Sequence, residues 1–304
     1  MYQLFRFFSF LVLNLVLILE SSDLIAIEEN AIPPKYELSI CAIFKNEAPY
    51  LKEWIEYHRM LGANHFYLYD NDSNDCFMEI LSPYLSENIV TLRRWPNRID
   101  SKDENNTYIW ALSEQIPAYE NGIHQAMEET KWLALIDVQD FLLPLTHGKF
   151  TDVLEKFSEH PGLVLSSENF EAYDLDAVPR RKLMIEMPFV TQAPKQNIQK
   201  GVEKIIFKPH LYKGFLWPPY RYIFKNDAQA ISLCKNVMRI NRYIHRFKGN
   251  LKFRREKEKI CVENGILPEK ERETLLKSGY EILDSQRAIY RFLPQLLQQM
   301  GFES

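Results

Sequence analysis

The sequence predicts an α/β protein built on a doubly wound mixed sheet, with an irregular, more antiparallel second half and C-terminal helices. Three observations carry that reading. Residues 36–144 alternate short apolar runs with stretches of helical periodicity, in the order strand, helix, strand, helix, strand, helix, strand. A largely parallel sheet with right-handed crossovers needs that order. Each strand-to-helix junction is polar: Lys45-Asn46-Glu47, Asp70-Asn71-Asp72-Ser73 and Asp137-Val138-Gln139-Asp140. Parallel strands place these junctions along one edge, where ligands of open α/β sheets bind. Finally, 304 residues at 46% hydrophobic, with 19 Phe and 16 Tyr against 10 Gly, suffice for one large packed domain with an appendage.

The elements follow in chain order. Arg6 precedes an apolar run from Phe7 to Leu19, which has the length of a signal-peptide core and is short for a membrane span. Leu24-Ile25-Ala26 is a poor cleavage pattern, so a cleaved signal and a retained signal-anchor both stay open, with an amphipathic or buried N-terminal helix as the plainer reading. Arg6 before the run and the acidic residues Glu20, Asp23, Glu28 and Glu29 after it orient the remainder for export, either membrane-associated or secreted. Residues 1–35 are therefore leader and linker, ending at Pro33-Pro34. The main domain spans 36–260, and 261–304 form a helical extension.

Within the domain, residues 37–44 read as a strand. A helix starts near Pro49 and carries Leu51, Trp54, Ile55 and His58 at helical spacing up to a terminating Gly62. Strand 65–69, helix 77–85, strand 89–95 and a polar loop 97–106 come next. Residues 108–130 are mostly helix, interrupted near Pro117 and Gly122. Trp132-Leu133-Ala134-Leu135-Ile136 is a strand buried on both faces. Beyond Pro144 the pattern gives helix 151–160, strand 162–170, and strands 203–208 and 230–234 between proline-rich connections. A basic helix or loop-helix covers 243–263, and helices 268–278 and 286–300 dock outside.

The net charge of −4 gives no basic field, so no nucleic-acid partner is expected. Cys41, Cys76, Cys234 and Cys261 are too widely spaced for a C-x-x-C metal or redox motif, and their pairing is open. Cys41 lies in an apolar strand and reads as core. Asp137 and Asp140 have two readings. As a polar turn they would only cap the next element. As part of three converging polar junctions they belong to a site.

The segments Ala42-Ile43-Phe44-Lys45-Asn46-Glu47, Leu51-Lys52-Glu53-Trp54-Ile55-Glu56-Tyr57-His58, and Gly62-Ala63-Asn64-His65-Phe66-Tyr67-Leu68-Tyr69-Asp70-Asn71-Asp72-Ser73 occur in that order. Gln115-Ile116-Pro117-Ala118-Tyr119-Glu120-Asn121 and the stretch from Trp132 to Pro144 follow. Together they resemble glycosyltransferase family 92 and its family-2-like relatives over about residues 36–259. The resemblance implies a GT-A-like fold and an inverting transfer from a nucleotide-diphospho-sugar, in the hexosyltransferase class with the donor open. The acceptor would be a glycan, glycolipid or glycoprotein. It implies Asp70 on the ribose diol, Asn46 and Glu47 beside the base or ribose, and Asp137 and Gln139 near the ribose or diphosphate. It also implies a divalent cation, manganese or magnesium, with Asp137 among its ligands.

Two departures bear on that cation. The family pattern D-x-D-E-F has here Gln139 at the second Asp, and a neutral amide is a poor ligand for a hard cation. The family's Asn-His-Tyr is here Asn241-Arg242-Tyr243, and Arg has no lone pair for a metal. Arg242, helped by His245, Arg246 or Lys248, is expected to neutralise the leaving diphosphate instead. The catalytic base is open among Asp140, Glu168, Glu171 and Asp174. Asn71-Asp72-Ser73 and Asn105-Asn106-Thr107 are formal glycosylation sequons, the first a chance match because a glycan there would block the donor. Two other readings remain. One is a degenerate relative that binds nucleotide or glycan without turnover. The other is a membrane-linked protein using the basic segment 242–259, whose plainer reading is a solvated helix face.

Overall fold

The computed structural model describes residues 33–96, 98, 107–172, 183, 185, 189–192, 204–216, 221–244, 280–281 and 287–302. By contacts the chain separates into two units, Met1–Lys35 and Tyr36–Ser304, and the elements that follow belong to the second. The expected leader, the 97–106 loop with its sequon, most of the basic segment, helix 268–278 and Asp174 lie outside the described residues. Among the described residues no helix is long and apolar enough to cross a membrane.

The first half follows the expected alternation. Strand β1 (Tyr36–Phe44), helix α1 (Ala48–Met60), β2 (His65–Asp70), α2 (Phe77–Ser86) and β3 (Val90–Arg94) succeed one another. Helices α3 (Thr107–Trp110) and α4 (Ile116–Ala126) are joined without a break by a π-helical stretch, Ala111–Gln115. β4 (Thr130–Leu135) then closes the parallel set: β1 pairs in parallel with both β2 and β4, and β2 with β3. Period-two alternation sorts the side chains. Leu38, Ile40, Ala42 and Phe44 of β1 enter one core with α1 and α2, while Cys41 and Ile43 enter the other with Ala118 and Tyr119 of α4. Both faces of the sheet are thus covered, as a doubly wound sheet requires.

The helix was expected to break near Pro117 and Gly122, and it does not. Pro117 sits in the first turn of α4, where its missing N–H costs nothing. Gly122 lies where α4 crosses β1: a Cβ there would stand 2.5 Å from Cys41 Sγ. The glycine permits close approach rather than marking an interruption.

The second half departs further from the sequence reading. β5 (Asp140–Pro144), α5 (Phe150–Lys156), β6 (Gly162–Leu165), β7 (Ser167–Ala172), β8 (Phe189–Gln192) and β9 (Lys204–Phe207) come first. β10 (Tyr212–Leu216), β11 (Arg221–Phe224), β12 (Ile231–Ser232), β13 (Met238–Ile244) and β14 (Tyr280–Glu281) follow. The single expected strand 162–170 is two, divided at Ser166 and assigned to different sheets. The main sheet has the order β12-β6-β9-β4-β1-β2-β3, with β9 antiparallel to both β4 and β6. This is the expected mixed sheet. A second sheet, β14-β8-β7-β13-β5, stands apart from it, and β10 and β11 form a hairpin. Arg242 was expected just ahead of a basic helix starting at 243; it lies within strand β13 instead, antiparallel to β5 and opposite Asp140.

β5 is an edge strand, and α1 covers its free edge. Trp54 Nε1 donates to the Asp140 carbonyl at 2.8 Å, and Tyr57 OH to the Leu142 carbonyl at 2.8 Å. Leu142 N donates to His58 Nε2 at 3.2 Å. Three side chains at i, i+3 and i+4 on one helical face thereby hydrogen-bond an otherwise open strand edge. The last helices, α6 (Arg287–Tyr290) and α7 (Leu293–Met300), place Ile289, Phe292 and Leu296 in the same core as α1. They were expected to dock outside, but they complete the main core.

Candidate active site

The three polar junctions share the carboxyl edge of the parallel strands. Phe44, the last residue of β1, pairs with Asp70, the last of β2. Asp137 follows β4 on the other side of β1, where Ile136 N donates to the Cys41 carbonyl. Asp70 and Asp137 therefore flank one strand end, at the edge expected for a ligand.

The first two junctions are tied into one surface. Asn46 adopts a left-handed conformation, φ 57°, which asparagine tolerates. Its backbone N–H donates to Ser73 Oγ at 2.9 Å, and its Oδ1 accepts from Asn74 N at 2.8 Å. Asp70 Oδ1 accepts from Ser73 N at 2.8 Å, and Asp75 Oδ2 accepts from Ala48 N at the start of α1. Glu47 lies half-buried between these loops. Burial, reinforced by Asp137 and Asp75, pushes its pKa up to about 7. Asn71 is buried, with its amide hydrogen-bonded to the Trp95 carbonyl, Glu114 and Trp110 Nε1. That leaves no room for a glycan on the first sequon.

The third junction is a reciprocal turn: Asp140 N donates to the Asp137 carbonyl at 2.9 Å, and Asp137 N to Asp140 Oδ2 at 3.0 Å. The turn reading therefore holds for these atoms. Arg242 reaches across from β13 and holds Asp140 bidentately, Nε to Oδ1 at 2.7 Å and Nη2 to Oδ2 at 3.0 Å, with Nη2 also 2.8 Å from Asp137 Oδ2. Lys204, first residue of β9, brings Nζ to 2.8 Å from Asp137 Oδ2 and 3.4 Å from Asp140 Oδ2. Asp137 Oδ1 accepts from Gln115 Nε2 at 2.9 Å and Tyr119 OH at 3.1 Å. Gln139, half-buried, contributes its carbonyl to Tyr243 N at 2.8 Å and so joins the turn to β13.

Two carboxylates thus meet two cations. Burial alone would raise the pKa of Asp140, but Lys204 and Arg242 outweigh it and hold the carboxyl below its usual range. Burial works against the Arg242 charge, and Asp140 and Asp137 more than restore it. Asp140 is 0% exposed with both oxygens engaged, so it anchors Arg242 and is not placed to deprotonate an acceptor. Glu168, another candidate base, pairs with Arg239 at 2.8 Å.

A divalent cation does not fit these residues as they stand. All the accepting directions of Asp137 are used, two of them by cations, and a dication would enter against both positive charges. Gln139 supplies an amide where a second hard ligand is needed.

The family model described as glycosyltransferase family 92 matches residues 35–259. The chain belongs to glycosyltransferase family 92. A family 92 protein of Arabidopsis thaliana is 26% identical over 234 residues, covering 73% of this chain and 37% of that protein. One from Ricinus communis is 33% identical over 186 residues, covering 60% of this chain and 29% of the relative. The chain spans about a third of the length of the curated relatives it matches. Among solved structures, S. aureus TarS 1-349 in complex with UDP gives a TM-score of 0.40 at 13% identity, covering 68% of this chain and 60% of that one. The same protein in complex with UDP-GlcNAc gives 0.39 at 15%, covering 70% and 60%.

Seen with the family 92 motifs in hand, the site contains residues the sequence did not announce. Gln115 and Tyr119 lie inside a matched segment, four apart on one helical face, but nothing in that spacing shows that they aim at Asp137. Lys204 has one sequence signal, a lysine opening the apolar run Lys204-Ile205-Ile206-Phe207. Because β9 runs antiparallel to β4, its first residue lands where the parallel strands end.

Proposed function

We propose that residues 36–259 form an inverting glycosyltransferase domain that moves a sugar from a nucleotide-diphospho-sugar to a carbohydrate-type acceptor without a divalent metal. Family membership supports the reaction class. The observation that carries the metal-free reading is the position of Arg242, at once bidentate on Asp140 and in contact with Asp137.

In this reading Asp70, Asn46 and Glu47 bind the nucleoside. Among the described residues Asp70 accepts through Oδ1, from Ser73 N, and the second oxygen is assigned to a ribose hydroxyl. Arg242 spends Nε and Nη2 on the carboxylates, and Nη1 makes no hydrogen bond among the described residues. That leaves a fixed, planar donor pair for diphosphate oxygens. As the bond to the anomeric carbon breaks, charge grows on those oxygens, and a preorganised cation there stabilises the transition state. Asp140 is a positioning residue that fixes the plane of the guanidinium. Lysine at 242 would keep the charge and lose the fork. Arg242→Lys is therefore expected to lower turnover about 100-fold or more while nucleotide binding changes far less. Equal losses in turnover and binding would contradict the assignment.

One observation favours a second reading, binding without turnover: Asp140 and Glu168 are both engaged in ion pairs. A panel of nucleotide-sugars assayed for transfer and hydrolysis separates the two. Export through residues 1–20 stays part of the proposal, and is tested by fractionating the full chain.

A further inference from the structure

The sequence accounts for one cation at the family's metal position, and the structure puts two there. Lys204 Nζ and Arg242 Nη2 both stand 2.8 Å from the same oxygen, Asp137 Oδ2, and both reach Asp140 Oδ2, at 3.4 and 3.0 Å. Each carboxylate is therefore shared by both cations. The Lys204 side chain is 6% exposed and Asp140 is completely buried, whereas Arg242 and Asp137 are 24% and 20% exposed. Lysine forms the floor of the cluster and arginine its rim. A buried ammonium is retained only where it is paired, and among the described residues its ion-pair partners are the carboxylates at issue.

We propose that Lys204 is the residue that keeps a divalent ion out, filling from below the position between Asp137 and Asp140 that such an ion would take. The proposal rests on the metal-free reading above and names the residue that enforces it. Without Lys204 the four groups would go from zero net charge to −1. Two carboxylate oxygens would also lose a shared donor, leaving hard oxygen ligands facing a space once held by a cation. Arg242 approaches from β13 and would not fill that space. The departures at Gln139 and Arg242 weaken a metal site, and Lys204 closes it.

The test uses the full chain, with Mn2+ itself as the probe. Uptake is read from loss of the free-ion electron paramagnetic resonance signal, and stabilisation from melting in Mn2+ against chelator. Wild type is expected to take up no ion, Lys204→Met to take up one per chain, and Lys204→Arg, which keeps the charge, to take up none. A lysine with a merely structural role would not give a gain of metal binding on removal. Should Lys204→Met be unfolded in chelator, Mn2+ is expected to restore its folded signal. A Lys204→Met protein that neither takes up Mn2+ nor is stabilised by it overturns the proposal, as does equal uptake by Lys204→Arg. Uptake by wild type itself would instead overturn the metal-free reading, so the two failures are told apart.

Discussion

His58 shows how a residue within a family motif can be scaffold. It is fully buried, its Nδ1–H donates to the Trp54 carbonyl at 2.8 Å, and its Nε2 accepts from Leu142 N. Burial pushes its pKa down to about 3, so it is neutral in the fold. The unfolded chain binds a proton near the ordinary value of 6.5, so stability from this residue is present above pH 6.5 and lost as pH falls toward 3. His58→Gln should narrow its stability gap to wild type by about 2 kcal/mol between pH 7 and pH 5, read from urea midpoints. A constant gap would show that the ring does not titrate this way. Glu47 has the opposite sign. Its pKa is raised from 4.5 to about 7, so the folded state holds the proton more tightly and loses stability as pH rises across that window. Glu47→Gln should match wild type near pH 4.5 and exceed it at pH 8, by at most about 3 kcal/mol. A carboxylate kept at such a cost fits a binding residue better than a structural one. At this scale the placement of Asp70 and Asp137 at one sheet edge was legible, because each follows an apolar strand run in the sequence. It was illegible for Asp140, because only the fold reveals that both oxygens are buried and taken.

Between strands and helices, the crossing of α4 over β1 decides how closely the site's helix approaches the sheet. Gly122 would ordinarily weaken a helix by about 1 kcal/mol relative to alanine, yet its missing Cβ leaves room for Cys41 Sγ. Overpacking a filled core costs about 1–3 kcal/mol, so Gly122→Ala is expected to destabilise despite its better helix propensity. Cys41→Ala should relieve that cost in a double-mutant cycle, and strict additivity would contradict the contact. The π-helical stretch just before α4 ends at Gln115 and sets it with Tyr119 on Asp137. Such insertions often lie at functional sites. The first-half elements were legible because each strand carries its own two-sided alternation. Those of the second half were not, because β13 pairs with β5 across about a hundred residues, and the direction of β9 leaves no mark in a four-residue apolar run.

For the whole molecule, the chain closes on itself. α6 and α7 come last in the sequence yet seal the α1 face, with Phe292 packed edge-on against Tyr57 and Arg291 bonded to the Pro144 carbonyl at the end of β5. The two residues are adjacent, so one short segment braces both α1 and β5, the pair that presents Asp140. Leu296 is fully buried there, and Leu296→Ala is expected to cost about 2–5 kcal/mol and to loosen the site as well as the core. The chemical denaturation midpoint and nucleotide affinity should fall together. An affinity unchanged at full loss of stability would separate the helices from the site. The same closure brings Arg242 and Lys204, far apart in sequence, onto one pair of carboxylates, and the proposal of metal-free transfer rests on that meeting. The direct measurement is turnover of a nucleotide-sugar panel by the wild-type chain, in chelator and with added manganese. The arrangement of Asp137, Asp140, Arg242 and Lys204 predicts equal turnover in both. Turnover that vanishes in chelator and returns with manganese would contradict it.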